Sequence, residues 1–363
     1  MIKNKNLTFI SVAYGPKFVK HLKLFTNYYT MNKLHYVLIT SLTFSIFSVP
    51  INAQTKVQND PNYYETFPDK ITGRVFLSQK YVHLNFPSGS SADDLEYKAN
   101  PKLNLGIGVS FKNFSINLFN GFSFLNKKDE PKGKTKGLDL QVHLYPKKWA
   151  IDLLAVSPKG YHLEPKGVAG ASSNNYYYRA DLKSNLIGLS AYRVPNKEKF
   201  SYRAAIVQTE WQKKSAGSFL YGGEVYYGSI QGDSALIPAL LSNTYPQAGI
   251  KKVNFFSVGP GVGYAHTLVI DQHFFITGSM IFNMDINFTK EEGVKKETKT
   301  SLNPAEVFKA AIGYNSNTWN VSANWTGNGV WVQGASIEKD YFLPSGNIRL
   351  VVAHRFNKHK HHS

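Results

Sequence analysis

The feature that most constrains this chain is a period of two. Leu103, Leu105, Ile107, Val109 and Phe111 share one face of an extended chain, and Asn104, Gly106, Gly108, Ser110 and Lys112 share the other. Successive side chains of a β-strand point to opposite sides, so this alternation reads as a strand. Lys112-Asn113 marks a turn. Beyond it Phe114, Ile116, Leu118, Phe122 and Phe124 alternate with Ser115, Asn117, Gly121 and Ser123. Pairing Phe111 with Phe114 brings Val109 against Ile116 and Ile107 against Leu118. Both apolar faces then coincide, as a hairpin requires.

The pattern recurs along the chain. Leu138, Leu140, Val142 and Leu144 alternate with Asp139, Gln141, His143 and Tyr145, and the run 150–157 returns after Pro146-Lys147-Lys148-Trp149. Phe274 to Phe288 forms one long apolar row, and 308–314 and 319–326 form another pair around Asn315-Ser316-Asn317-Thr318. Further candidate strands are 71–86, 179–194, 200–210, 219–230, 253–268 and 346–356.

A soluble sandwich and a membrane barrel both produce this alternation. Four features point to the barrel. The polar faces are rich in Gly, Ser and Asn, which suits a crowded interior. Aromatics sit at row ends (Phe111, Phe114, Trp149, Tyr314, Trp319, Trp325), where interface girdles belong. Several strands reach the roughly 9–11 residues that a spanning strand needs. Short connections (112–113, 146–149, 315–318) alternate with long charged ones (87–102, 125–137, 158–178, 289–304), the asymmetry of periplasmic turns and outer loops. The fold class expected is therefore all-β, an antiparallel up-and-down transmembrane β-barrel. Thirteen candidate strands do not give the even number that closed bacterial barrels use, so twelve strands are expected, with fourteen as the alternative. Residues 233–245 read as a short helix within a loop.

The chain has 42 Lys+Arg against 24 Asp+Glu, a formal charge of +18, and no Cys. The absence of Cys excludes disulfides, thiol nucleophiles and Cys-ligated metals. Residues 1–53 hold six lysines and no acid. From Met31 the order is Lys33, an uncharged apolar run Tyr36 to Pro50, then Ile51-Asn52-Ala53, which is the order of a secretory signal. The expected organisation is an upstream extension from a mis-assigned start (1–30), a signal peptide (31–53), a periplasmic amino-terminal segment (54–70), the barrel (71–356) and a basic, His-containing tail (357–363). Loss of 1–53 takes the charge from +18 to +12. An exported chain without a basic, aromatic-interleaved surface is not expected to meet nucleic acid. The expected partners are outer-membrane lipid, anionic headgroups or small solutes, and the barrel-assembly machinery through the carboxy-terminal strand ending at Phe356.

Several stretches are similar to a known family. Tyr63-Tyr64, Thr66, Pro68-Asp69-Lys70-Ile71-Thr72 and Arg74, followed by Leu77-Ser78 and Lys80-Tyr81, resemble the opening of a Bacteroidota family known only as domain of unknown function 4421. Leu103 to Val109, Gly133 to Gln141, Phe200 to Ala205 and Gln208 to Ser218 resemble its later segments. The resemblance implies an outer-membrane location and carries no activity and no functional residues.

Candidate chemistry is sparse. His143 falls opposite Asp152 if Tyr145 pairs with Ala150, which is half of a hydrolytic triad, but no particular Ser accompanies it. Asp139, Gln141, His143, Asp152, Arg179, Asp181 and Lys183 are read as lumen-facing polar residues, either a paired interior network or a lining that selects solutes by charge. Gly259, Gly261 and Gly263 form GPGVG, which lacks the Lys-Ser/Thr of a phosphate loop and fits close packing on a strand. His359, His361 and His362 read as a frayed tail. No catalytic residue, metal or cofactor is expected. The functional expectation is a non-enzymatic outer-membrane barrel serving as a narrow channel or conduit for solutes or lipids, or as a structural envelope component. The alternatives are an outer-membrane lipase-like or acylase-like enzyme and a surface-binding barrel using its long loops.

Amino-terminal sequencing of the membrane-fraction protein is expected to give a mature start at Gln54. A start upstream of residue 40 would exclude the signal-peptide reading.

Overall fold

The computed structural model describes residues 59–88, 93–111, 114–126, 131–146, 148–336 and 339–357. The expectations for 1–53 and for the tail beyond Asn357 lie outside these residues. Fifteen strands are present among them: β1 (Tyr64–Thr66), β2 (Lys70–Phe86), β3 (Leu95–Ala99), β4 (Asn104–Phe111), β5 (Phe114–Asn120), β6 (Lys136–Leu144), β7 (Trp149–Glu164), β8 (Tyr178–Arg193), β9 (Glu210–Gln212), β10 (Ala216–Gln231), β11 (Lys252–Ile270), β12 (Phe274–Glu292), β13 (Lys296–Asn315), β14 (Trp319–Gln333) and β15 (Asp340–Asn357).

Ten of them close a ring in the order β2, β15, β14, β13, β12, β11, β10, β8, β7, β3 and back to β2, every pair antiparallel. The closure joins the first and last long strands: Phe356 pairs with Ile71 and Leu350 with Leu77. Strand β3 is short and bridges β2 and β7 only at one end. Below it β4 and β5 extend from β2, and β6 extends from β7. At that level the wall is twelve strands around. Among the described residues β5 and β6 share no ladder.

The two hairpins take the registers that the alternation dictates. Phe111 faces Phe114 and Ile107 faces Leu118; Leu144 faces Ile151 and His143 faces Asp152. Along β12, Phe274, Ile276, Phe282, Met284, Ile286 and Phe288 point outward and are exposed, whereas Thr277, Asn283, Asp285 and Asn287 point inward and are buried. With a rise of 3.3–3.4 Å and the usual tilt, the row from Phe274 to Phe288 spans roughly 35 Å along the barrel axis, enough for a hydrocarbon core and both interfaces. This inside-out distribution is that of a transmembrane barrel and not of a sandwich. Among the described residues no helix is long and apolar enough to cross a membrane.

Glycine on the inner face lets large side chains lie flat across the wall. A Cβ on Gly106 would collide with the Phe76 ring, and one on Gly259 with Asp285. Side chains from β2 and β12 therefore lean over their neighbours β4 and β11.

Several elements differ from the expectations: β7 runs to Glu164 within the expected loop 158–178, and β5 ends at Asn120, so Phe122 and Phe124 lie past it. Residues 200–210 are no barrel strand: Arg203–Val207 forms one π-helical turn, and β9 pairs with β1 outside the ring. Strand β3 lies inside the expected loop 87–102. Much of the expected loop 289–304 is strand, since β12 and β13 continue to a turn at 293–295. The expected helix at 233–245 is reduced to one 3-10 turn, Ala239–Leu241.

A charge placed on the outer face should act as in lipid. Ile107→Lys is expected to cost about 2–4 kcal/mol if Ile107, 61% exposed, lies near the midplane. Urea titration of the barrel refolded into lipid vesicles measures it. A cost below about 0.5 kcal/mol would mean that this face meets water.

Candidate functional site

Both mouths of the ring are filled. At the end holding the short turns, the β8–β10 connection folds inward. Phe200, Tyr202, Ala205 and Ile206 pack with Phe275, Ile281, Val307 and Ala311 of the wall. The Tyr202 hydroxyl bonds the Ser279 hydroxyl at 2.6 Å. Arg355 Nη2 donates to the carbonyls of Gln208 (2.7 Å) and Glu210 (3.1 Å), and Asn315 Nδ2 donates to the Glu210 carbonyl (3.0 Å). The amino-terminal segment docks beneath this plug through β1 and β9, with the Tyr64 hydroxyl donating to the Lys197 carbonyl at 2.7 Å. Burial, reinforced by the negative charge of Glu210, keeps that hydroxyl protonated well above the usual tyrosine range.

At the far end the β10–β11 loop covers the ring. Leu236, Ile237, Tyr245 and Ile250 are buried among Leu84, Phe86, Tyr97, Leu182 and Tyr341. Tyr97 donates to the Leu236 carbonyl (2.8 Å), and Gln247 Nε2 donates to the Pro87 carbonyl (3.0 Å).

A polar layer lies between the two apolar plugs. Asp152 is paired with Lys309 of β13, and His143 Nδ1 lies 2.6 Å from its other oxygen. Both side chains of the Asp152–Lys309 pair are nearly inaccessible. Gln141, His143, Asp152 and Lys309 line a cavity of ≈ 20 Å³, room for about one water. Asp139 pairs with Lys80 at 2.8 Å, and Gln141 Nε2 donates to Asp139 at 3.2 Å. Glu224 and Asp285 face each other across Gly259, in one register row. Tyr192 donates to Glu224 at 2.9 Å and Ser257 donates to Asp285 at 2.5 Å. One oxygen of each carboxylate is buried without a partner.

Asp139, Gln141, His143 and Asp152 thus share the inner face. Arg179 and Asp181 serve another purpose. They form a two-bond pair at 2.7 and 2.8 Å, Arg179 also donates to the Ala235 carbonyl (2.8 Å), and Asp181 accepts the Asp233 N–H (2.9 Å). The pair clamps the β10–β11 loop at the rim. Lys183 is not lumen-facing. It shares the outer face with Ile187 and Leu189, while Leu182, Ser184 and Leu186 point inward. The cause is a bulge where β7 passes β8, between Lys159 and Tyr161, which shifts the alternation between Arg179 and Lys183. Among the described residues no serine hydroxyl bonds to His143. Sequence reasoning missed Glu224, Asp285, Lys309, Arg74 and Arg349. Their inward register was readable from the alternation, but their convergence across the lumen was not.

The Asp152–Lys309 pair generates a stability prediction. Asp152→Asn leaves Lys309 buried without an anion and is expected to cost about 3–5 kcal/mol. His143→Asn removes one hydrogen bond and should cost about 1 kcal/mol. Asp152→Leu with Lys309→Met should recover most of the loss. Denaturant titration followed by the heat-modifiable gel shift measures all three, and equal stability of Asp152→Asn and the parent would exclude a buried charge pair.

Comparison with solved structures returns outer-membrane barrels. The outer membrane protease OmpT from Escherichia coli aligns at 9% identity and TM-score 0.37, covering 81% of this chain and 98% of that one. The outer membrane protein OprG from Pseudomonas aeruginosa aligns at 12% and 0.20, covering 81% and 98%. The toluene transporter TodX of Pseudomonas putida aligns at 8% and 0.19, covering 81% and 92%. These scores carry no argument about activity. Comparison with curated proteins gives no match. Residues 58–356, nearly all of the barrel and its docked segment, match one family, and the chain belongs to it: the domain of unknown function DUF4421.

Proposed function

We propose that this chain is a bacterial outer-membrane barrel that works without catalysis, as a conduit through its wall for lipid-like molecules and not as a water-filled channel along its axis. One observation carries this reading: both mouths are filled, while among the described residues the wall between β5 and β6 has no ladder. Among the described residues β5 forms a ladder only with β4 and β6 only with β7. Outward Ile116, Leu118, Leu138, Leu140 and Leu144 flank the gap, which puts its edges at the level of the hydrocarbon. Phe119 points inward, yet it is 48% exposed. Unpaired backbone groups in hydrocarbon cost several kcal/mol each, so such a gap is a place that closes by pairing or takes an occupant. Lys80 holds the inner side together, 2.8 Å from Asp139 of β6 and 5.0 Å from the ring of Phe119 on β5. The outer-membrane location rests on the apolar outer band. Strand β15, ending in an aromatic and closing against β2, is what the barrel-assembly machinery would engage.

Planar-bilayer recording tests the reading. The purified protein is expected to show no sustained porin-like conductance. Phe200→Ala with Tyr202→Ala should loosen the short-turn plug, each truncation removing about 3–5 kcal/mol of packing, and introduce flickering conductance. A large, steady conductance from the unmodified protein would mean an axial channel instead.

A further inference from the structure

On the inner side of the β5–β6 gap lie two arginines with no acid. Arg74 of β2 crosses Gly108 of β4, which has no side chain to block it. Its Nη1 donates to Ser115 (3.1 Å) and Asn117 (3.4 Å) of β5, and its Nη2 to Ser110. Its Nε is buried without an acceptor. Arg349 of β15 lies over the Phe76 ring, 4.7 Å from its centroid. Among the described residues its guanidinium has no hydrogen-bond acceptor, and its Nε too is buried. The two cations are near enough to repel each other, and among the described residues neither is ion-paired with a carboxylate. The hydroxyl of Tyr145, also buried and without a partner, lies within electrostatic range of Arg349. Two other lumen cations are matched by acids, Lys309 by Asp152 and Lys80 by Asp139, and Arg355 is taken up by the carbonyls of the short-turn plug.

Buried guanidinium N–H groups and a phenol without acceptors are an incomplete set that an oxyanion completes, and arginine suits phosphate oxygens in particular. We infer that Arg74, Arg349 and Tyr145 form a site for the phosphate headgroup of an anionic lipid that enters between β5 and β6. The inference rests on the wall-conduit reading. Ser115 and Asn117, which Arg74 holds, are on β5, the strand beside the gap, so Arg74 stands at its inner lip, and Arg349 lies behind it over the Phe76 ring. The outward leucines and Ile116 on both sides of the gap offer the acyl chains a surface continuous with the bilayer. An anionic headgroup can then reach the arginines while its chains stay in hydrocarbon.

The test uses the full chain, delipidated in neutral detergent and checked for folding by heat-modifiable mobility. Binding is measured for phosphatidylglycerol, phosphatidylcholine and inorganic phosphate. Phosphatidylglycerol is expected to bind at least tenfold more tightly than phosphatidylcholine. Arg349→Gln should abolish that preference and Arg349→Lys should keep most of it. Arg74→Gln should weaken it as well, and Arg349→Gln carries the test alone if that variant does not fold. Equal binding of the two lipids, or a preference unchanged in Arg349→Gln, overturns the site while leaving the wall-conduit reading standing. Inorganic phosphate bound through Arg349, with phosphatidylglycerol not bound, overturns the lipid occupant and the wall route with it.

Discussion

Closure of the sheet on itself is the constraint from which the rest follows. A strand in hydrocarbon can satisfy its backbone only through its neighbours, so the first long strand and the last must meet. They do, from Lys70 with Asn357 up to Asn85 with Phe342. Once the ring is closed, every strand has one face toward lipid and one toward a narrow interior, and the period of two in the sequence is the record of that division. The place where closure fails is therefore informative. Between β2 and β7 the short strand β3 bridges the wall at one end only, and the chain fills the remainder with β4, β5 and β6, of which β5 and β6 share no ladder among the described residues.

The interior answers a second constraint, that charge away from water needs a partner. Asp152 and Lys309 reach each other from strands well apart in the ring, and Lys80 reaches Asp139 across the gap. Such contacts tie opposite walls together more tightly than adjacent ladders alone would. The apolar plugs above and below make the requirement stricter, because they exclude the water that would otherwise screen these charges.

How much of this was legible in the sequence follows from its periodicity. The registers of β4–β5 and β6–β7 were readable, because each has one apolar face and a short turn, and slipping by one residue would expose the wrong face. The extent of β13 was not. Lys296 to Ser301 is polar on both faces, so the strand continues past the membrane with no alternation to betray it. Residues 200–210 failed for the opposite reason: Phe200, Tyr202, Ala204 and Ile206 alternate well enough for a strand, yet they are buried on several sides inside a plug. Lys183 was assigned to the wrong face because one bulge displaces the alternation, and a bulge leaves little trace in composition. The pairing of Lys309 with Asp152 joins residues far apart in the chain, which no local pattern encodes.

The unmatched groups of the lumen are divided between its walls. The carboxylates Glu224 and Asp285 sit on β10 and β12, whereas the guanidinium groups of Arg74 and Arg349 sit on β2 and β15, separated along the ring by β13 and β14. Had they faced each other at bonding distance they would have neutralised one another, as Asp152 and Lys309 do. Held apart, they leave carboxyl groups on one side of the interior and guanidinium groups on the other, with the guanidinium groups on the side of the gap. An anion arriving through the gap meets the cations first. The arrangement that leaves the arginines without partners is thus the same one that would hold a charged headgroup at the inner edge of the wall.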